Sequence, residues 1–117
     1  MNPNRSKRIS HHEISELLPS WFVDNYTLVF QLLRTNQYSS FQTIKTFLTA
    51  ALQDLACDEE ERKTTPVKHV KVKVTDKGVK DHYQYVSVDI YPILRDGSTL
   101  RITNSCKVQL RKKMSHD

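Results

Sequence analysis

The chain is poor in glycine and in cysteine: its 117 residues hold two of each, Gly78 and Gly97, Cys57 and Cys106. A Walker phosphate loop and a dinucleotide fingerprint both need several glycines at fixed spacing, so that backbone N–H groups can close on a phosphate. Both are excluded here, and nucleotide-driven chemistry with them. The cysteines form no C-x-x-C pair and have no histidine at metal-ligand spacing, so both are expected to be buried packing thiols. Serine, histidine and aspartate are present without a nucleophile-elbow sequence, which leaves no hydrolase triad to propose. His11 and His12 fall in a first helical turn, His116 in the tail, and His69 and His82 approach each other only in some strand registers. No catalytic residue, metal or cofactor is expected. No apolar run nears the roughly 20 residues that span a bilayer. Met1–Ser10 is polar and basic, unlike a signal peptide, so a cytoplasmic protein with no membrane partner is expected.

What is present is an uneven distribution of charge. A composition of 38% hydrophobic and 26% charged residues suits one soluble domain. Residues 1–65 carry 7 Lys and Arg against 8 Asp and Glu, a balance of −1, while residues 66–117 carry 11 against 5, a balance of +6. A concentrated positive field favours a polyanionic partner, since it speeds encounter and releases counterions from phosphates. The competing reason for such a face is solubility, because lysines also protect sheet edges from aggregation.

The first half reads as helical. Met1–Ile9 reads as a flexible basic arm with Arg5, Lys7 and Arg8. Ser10 and Glu13 have capping-box spacing, which predicts a helix over His11–Leu18 that stops before Pro19. Trp21–Thr35 follows, with Phe22, Tyr26, Val29, Phe30 and Leu33 at helical spacing, and Asn36–Ser39 makes a turn. A third helix, capped by Ser39 or Ser40, presents Phe41, Ile44, Leu48, Ala51, Leu52 and Leu55 as one apolar stripe. Asp58–Glu61, Arg62, Lys63 and Pro66 make a solvated connector. The domain is expected over residues 10–113, with 114–117 as a tail.

The second half reads as strands, because apolar residues recur with period two. Val70, Val72 and Val74 alternate with Lys71, Lys73 and Thr75, and Leu100, Ile102, Cys106, Val108 and Leu110 alternate with Arg101, Thr103, Lys107, Gln109 and Arg111. Turns are expected at Asp76-Lys77-Gly78 and Asp96-Gly97. The predicted fold is α+β, about three N-terminal helices followed by a three-stranded antiparallel meander. If Val86, Val88 and Ile90 face the core, then Tyr83, Tyr85, Ser87, Asp89 and Tyr91 share the face of the lysines and arginines. A two-residue turn at Asp96-Gly97 would pair Tyr91 with Ile102 and turn the wrong side inward, so a longer loop or a bulge near Pro92 is expected.

Such a face suits nucleic acid, RNA or DNA. Bases stack on exposed rings while cations track the phosphates of a single strand. The candidate contacts are Lys71, Lys73, Tyr83, Tyr85, Arg101, Lys107 and Arg111. Replacing Arg101 and Arg111 by Ala is expected to weaken binding at unchanged stability. Three alternatives stand beside this. The order of elements resembles winged-helix proteins, with Gln42, Thr43, Lys45 and Thr46 reading a groove and Lys71–Lys80 as the wing, although one cation and one acid between Phe41 and Cys57 is a poor charge set for a groove-reading helix. His69, Lys71, Lys73, Tyr83, Arg101 and Arg111 supply the residue types of a metal-independent ribonuclease, a layout similar to ribosome-dependent toxin nucleases, which however begin with a strand. Finally, Trp21, Phe22, Tyr26 and Phe30 would form a protein-interaction or homodimer surface if exposed, and would otherwise complete the core under the sheet.

Overall fold

The computed structural model describes residues 6–56 and 67–111; Arg5, Cys57, the acidic connector and the tail fall outside them. The chain enters as a two-residue strand, β1 (Lys7–Arg8), followed by the helices α1 (His11–Leu17), α2 (Ser20–Thr35) and α3 (Phe41–Gln53), a 3₁₀ turn at Asp54–Ala56, and the strands β2 (Val67–Lys80), β3 (Tyr83–Leu94) and β4 (Leu100–Gln109). The sheet order is β1-β4-β3-β2, with β1 parallel to β4 and the other pairs antiparallel.

Local chemistry sets the helix ends. The Glu13 N–H donates to Ser10 Oγ at 3.2 Å and the Ser10 N–H to Glu13 Oε1 at 3.1 Å, the reciprocal capping box. Pro19 disfavours helical backbone in Leu18, which is extended, and α1 ends there. Of the two candidate caps for α3, Ser40 is the one used, its Oγ accepting from the Thr43 N–H. The buried stripes of α2 (Phe22, Tyr26, Val29, Phe30, Leu33) and α3 (Ile44, Leu48, Leu52) meet the valines and isoleucines of one sheet face in one cluster. No helix of the described residues is long and apolar enough to cross a membrane.

Two expectations are corrected. The sheet is four-stranded and mixed, because the end of the expected basic arm is a strand: the Lys7 N–H donates to Thr99 O at 2.8 Å and the Ile9 N–H to Arg101 O at 2.9 Å. Ile9, the first apolar residue after a polar run, is 3% exposed and ties that segment to the core. One strand therefore precedes the helices.

The first turn also lies elsewhere. The β2–β3 hairpin reverses at Asp81-His82, whose φ of 53° and 66° give the primed two-residue turn that matches strand twist. Gly78, with φ 99°, makes a bulge inside β2, where the register shifts between Asp76 and Val79 opposite β3. The Asp76 carboxylate accepts from the Gly78 N–H at 2.8 Å and from the buried Gln84 amide at 2.6 Å, which pins the bulge. The β3–β4 connection is the expected longer loop. Leu94 N–H bonds Ser98 O and Gly97 N–H bonds Leu94 O around Arg95-Asp96-Gly97. That loop places Ile90 opposite Ile102 and Asp89 opposite Thr103. Pairing stops there and resumes at Ile93 opposite Thr99, and the interval contains Pro92, which has no N–H to give.

Candidate nucleic-acid interface

The register sorts the strands into two faces. Val70 and Val74 of β2, Val86, Val88 and Ile90 of β3, and Leu100, Ile102 and Val108 of β4 are buried. The Tyr26 hydroxyl of α2 accepts from the Asn104 side chain at 3.2 Å, which puts the helices on this inner face. Alternation then sends Lys71 and Lys73, Tyr83, Tyr85, Asp89 and Tyr91, and Arg101, Thr103 and Lys107 to the outer face, which carries no helix among the described residues.

The centre of the outer face is closed by a polar knot. Asp89 is 8% exposed; its Oδ1 accepts from Thr103 Oγ1 at 2.7 Å and from Arg101 Nη2 at 3.4 Å. The Arg101 guanidinium lies 5.9 Å from the Tyr91 ring centroid, and its Nε is buried with no hydrogen-bond partner. Arg101 is thus held by an acid and a ring rather than left free in solvent.

The knot divides the face into two ends. At the Tyr91 end an open hollow of about 600 Å³ is lined by His69, Lys71, Lys73, Tyr91, Ile93 and Thr99, among others. At the hairpin end, hollows of about 290 and 490 Å³ touch Lys77, Tyr85, Ser105, Lys107, Tyr83 and Arg34. There the Lys107 ammonium sits 4.7 Å from the Tyr83 ring centroid, covering one face of that ring, while Tyr85 is 38% exposed.

Six of the seven candidate contacts are therefore on one face: Lys71, Lys73, Tyr83, Tyr85, Arg101 and Lys107. Arg111 is not one of the ladder residues. It follows β4, exposed, with its N–H bonded to Tyr38 O at 2.8 Å beside the α2–α3 connection. Tyr91 and Ile93 line the larger hollow and were outside the candidate contacts, although both obey the odd-numbered alternation of β3. The Gly78 bulge turns the even-numbered Lys80 to this face, opposite Tyr83, a displacement with no signal in period-two counting.

The alternative sites fare differently. Phe22, Tyr26 and Phe30 are core residues, exposed by 0%, 7% and 2%, because the gap between α2 and the sheet is filled by aromatic rings. They form no surface patch, and Trp21 is half-buried with them. What α2 does expose is Leu28 and Leu32, beside a groove with Phe47 and Ala51 of α3. Lys71–Lys80 lies within one strand rather than a wing hairpin. The ribonuclease set does not converge: His69 pairs with Ile93 at one end of the hairpin, while Tyr83 pairs with Lys80 at the other. His82 is at that far end too, in the turn, well away from His69. Cys106 is half-buried on the inner face, and burial pushes its thiol pKa up, which makes it a poor nucleophile. Among the described residues no three His, Cys, Asp or Glu gather at metal-ligating distance.

No family model, curated protein or solved structure matches the chain.

Proposed function

We propose that this is a non-catalytic nucleic-acid-binding protein, acting alone or as an accessory subunit, that holds an unpaired strand of RNA or DNA against the outer face of its sheet. The observation that carries this is the coincidence, on a face that no helix of the described residues covers, of the exposed cations Lys71, Lys73 and Lys107 with the rings of Tyr83, Tyr85 and Tyr91. Unpaired bases have free faces to stack on rings, at about 1–3 kcal/mol each, and a duplex does not. A cytoplasmic setting, where RNA is abundant, belongs to the same proposal.

The test is fluorescence anisotropy of labelled single strands and duplexes, titrated with the protein from about 50 to 200 mM salt. Single-strand binding that weakens steeply with salt supports the proposal, and no binding at the lowest salt overturns it. A second function, docking of a protein partner or a second copy on the α2–α3 groove, is favoured by the exposure of Leu28 and Leu32. An apolar contact of that kind would survive salt that releases phosphates.

A further inference from the structure

We propose that the hollow at the Tyr91 end is a discrete seat for a single nucleotide, its base on Tyr91 and Ile93 and its phosphate between Lys71 and Lys73. It rests on the nucleic-acid function proposed above and adds a specific ligand-sized site to an otherwise extended face. Three observations converge on it.

The first is size and lining. About 600 Å³ lies within the ~300–1,000 Å³ range of small-molecule sites, and the hollow combines apolar floor with convergent polar groups, as such sites do. The second is charge. Lys71 and Lys73 stand on the same face of β2, about 7 Å apart along the strand. Both are exposed, and neither has an ion-pair partner among the described residues. The nearest acid in the register, Asp89 opposite Lys73, is bound by Arg101 and Thr103 of β4 and so is drawn toward the opposite strand. A phosphate between the two ammoniums meets no uncompensated negative charge.

The third is preorganisation. Arg101 is fixed over Tyr91 by Asp89, so a base laid on the ring completes a stack whose lower members are already in place. Little of the freedom of Tyr91 and Arg101 then remains to be lost on binding. The hairpin end lacks this: among the described residues no acid fixes Lys107 over the Tyr83 ring, and the hollows there are smaller. The two ends should thus divide the work, with one seating a nucleotide and the other guiding the rest of the strand.

The test titrates the full-length protein with adenosine monophosphate, adenosine and inorganic phosphate, and asks whether each displaces a labelled hexanucleotide. The monophosphate is expected to displace it, with adenosine and phosphate each weaker by roughly tenfold. Tyr91→Leu and the double change Lys71→Ala with Lys73→Ala should weaken monophosphate binding by at least about fivefold, the low end of the stacking range. Tyr85→Leu should leave it unchanged while weakening the hexanucleotide. Amide shift mapping on the unaltered protein, centred on Lys71, Lys73, Tyr91 and Ile93, supports the seat without relying on any variant. Hexanucleotide binding that the monophosphate does not displace overturns the seat and leaves the broader function standing. Failure of both ligands to bind overturns both.

Discussion

The two faces of the sheet are made by the same strands, one residue out of step, yet they do different physical work. Ile90 and Ile102, opposite one another on the inner face, are fully buried, and their neighbours Tyr91 and Arg101 form the outer ring-and-cation contact. On the inner face a side chain matters for the volume it fills. On the outer face it matters for its charge and ring, because no helix of the described residues covers it. Stability and ligand binding are therefore expected to separate by parity along a strand, with one exception: the Asp89–Arg101–Thr103 knot is on the outer face but buried enough to carry structure.

The inner face should give the largest effect. Ile102→Ala leaves a cavity among Ile90, Val88 and the helix stripes and is expected to cost about 2–5 kcal/mol in urea unfolding. The salt slope of nucleic-acid binding should not change in the fraction that folds. A shift in that slope would break the separation of faces.

The knot sharpens the comparison. Arg101→Ala removes a charged partner from an Asp89 that has only Thr103 left in the structure, and about 1–3 kcal/mol should be lost. Replacing Arg101 and Arg111 together, expected from sequence to leave stability nearly unchanged, is now expected to lower it through Arg101. A double-mutant cycle with Asp89→Asn measures the coupling, and additive losses would show that the knot is not a unit.

Next comes Gly78, where φ is 99° and a Cβ would meet nothing within 4 Å. Gly78→Ala therefore reports backbone strain alone, about 1–2 kcal/mol, by thermal unfolding. Its effect should be structural, although the bulge is also what brings Lys80 to the outer face, opposite Tyr83. The same bulge shows where the sequence was hard to read. The alternation of Val70, Val72 and Val74 and of Leu100 and Ile102 made the two faces legible, as did the Ser10–Glu13 box and the helical stripes. Asp76-Lys77-Gly78 has the composition of a turn, and only the pairing of Gln84 with Asp76 and Gly78, set by tertiary register, makes it a bulge. The real turn uses Asp81 and His82, residue types enriched at positive φ, but the glycine of Asp76-Lys77-Gly78 gave the stronger turn signal four residues earlier. β1 escaped notice because two paired residues make no period. The inner position of Phe22, Tyr26 and Phe30 was one of two outcomes open from sequence, because helical spacing does not say how much of a stripe the sheet can cover.

A smaller effect comes from acid. Glu13 is held below its ordinary value of 4.5, chiefly by the hydrogen bond from the Ser10 backbone N–H, and Asp96 below 3.8 by its bonds from Ser98. A carboxyl with a lowered folded pKa stabilises the fold above its unfolded pKa, and that contribution is lost as pH falls through the folded value. Stability should thus decline below about pH 4.5, and Glu13→Gln, which keeps the cap geometry without titrating, should flatten the decline measured by urea unfolding. Because these groups are solvent-exposed and lie at a helix cap and a loop, the decline should leave the relative affinities of the sheet-face variants unchanged.

The smallest effect on stability is the most informative about function. Lys71 and Lys73 are exposed, unpaired by any acid among the described residues, and on the outer face of an edge strand, so replacing both by Ala should move unfolding by no more than about 0.5 kcal/mol each. Their loss should nevertheless lower the salt slope by about 0.7, the release expected for the one single-strand phosphate held between them. Ile102→Ala and this pair then form opposite corners of one test. The core change destabilises without altering the slope, and the face change alters the slope without destabilising. If the lysines prove stabilising and the slope stays put, their positive charge serves the sheet edge alone, and the outer face loses its claim to a polyanion.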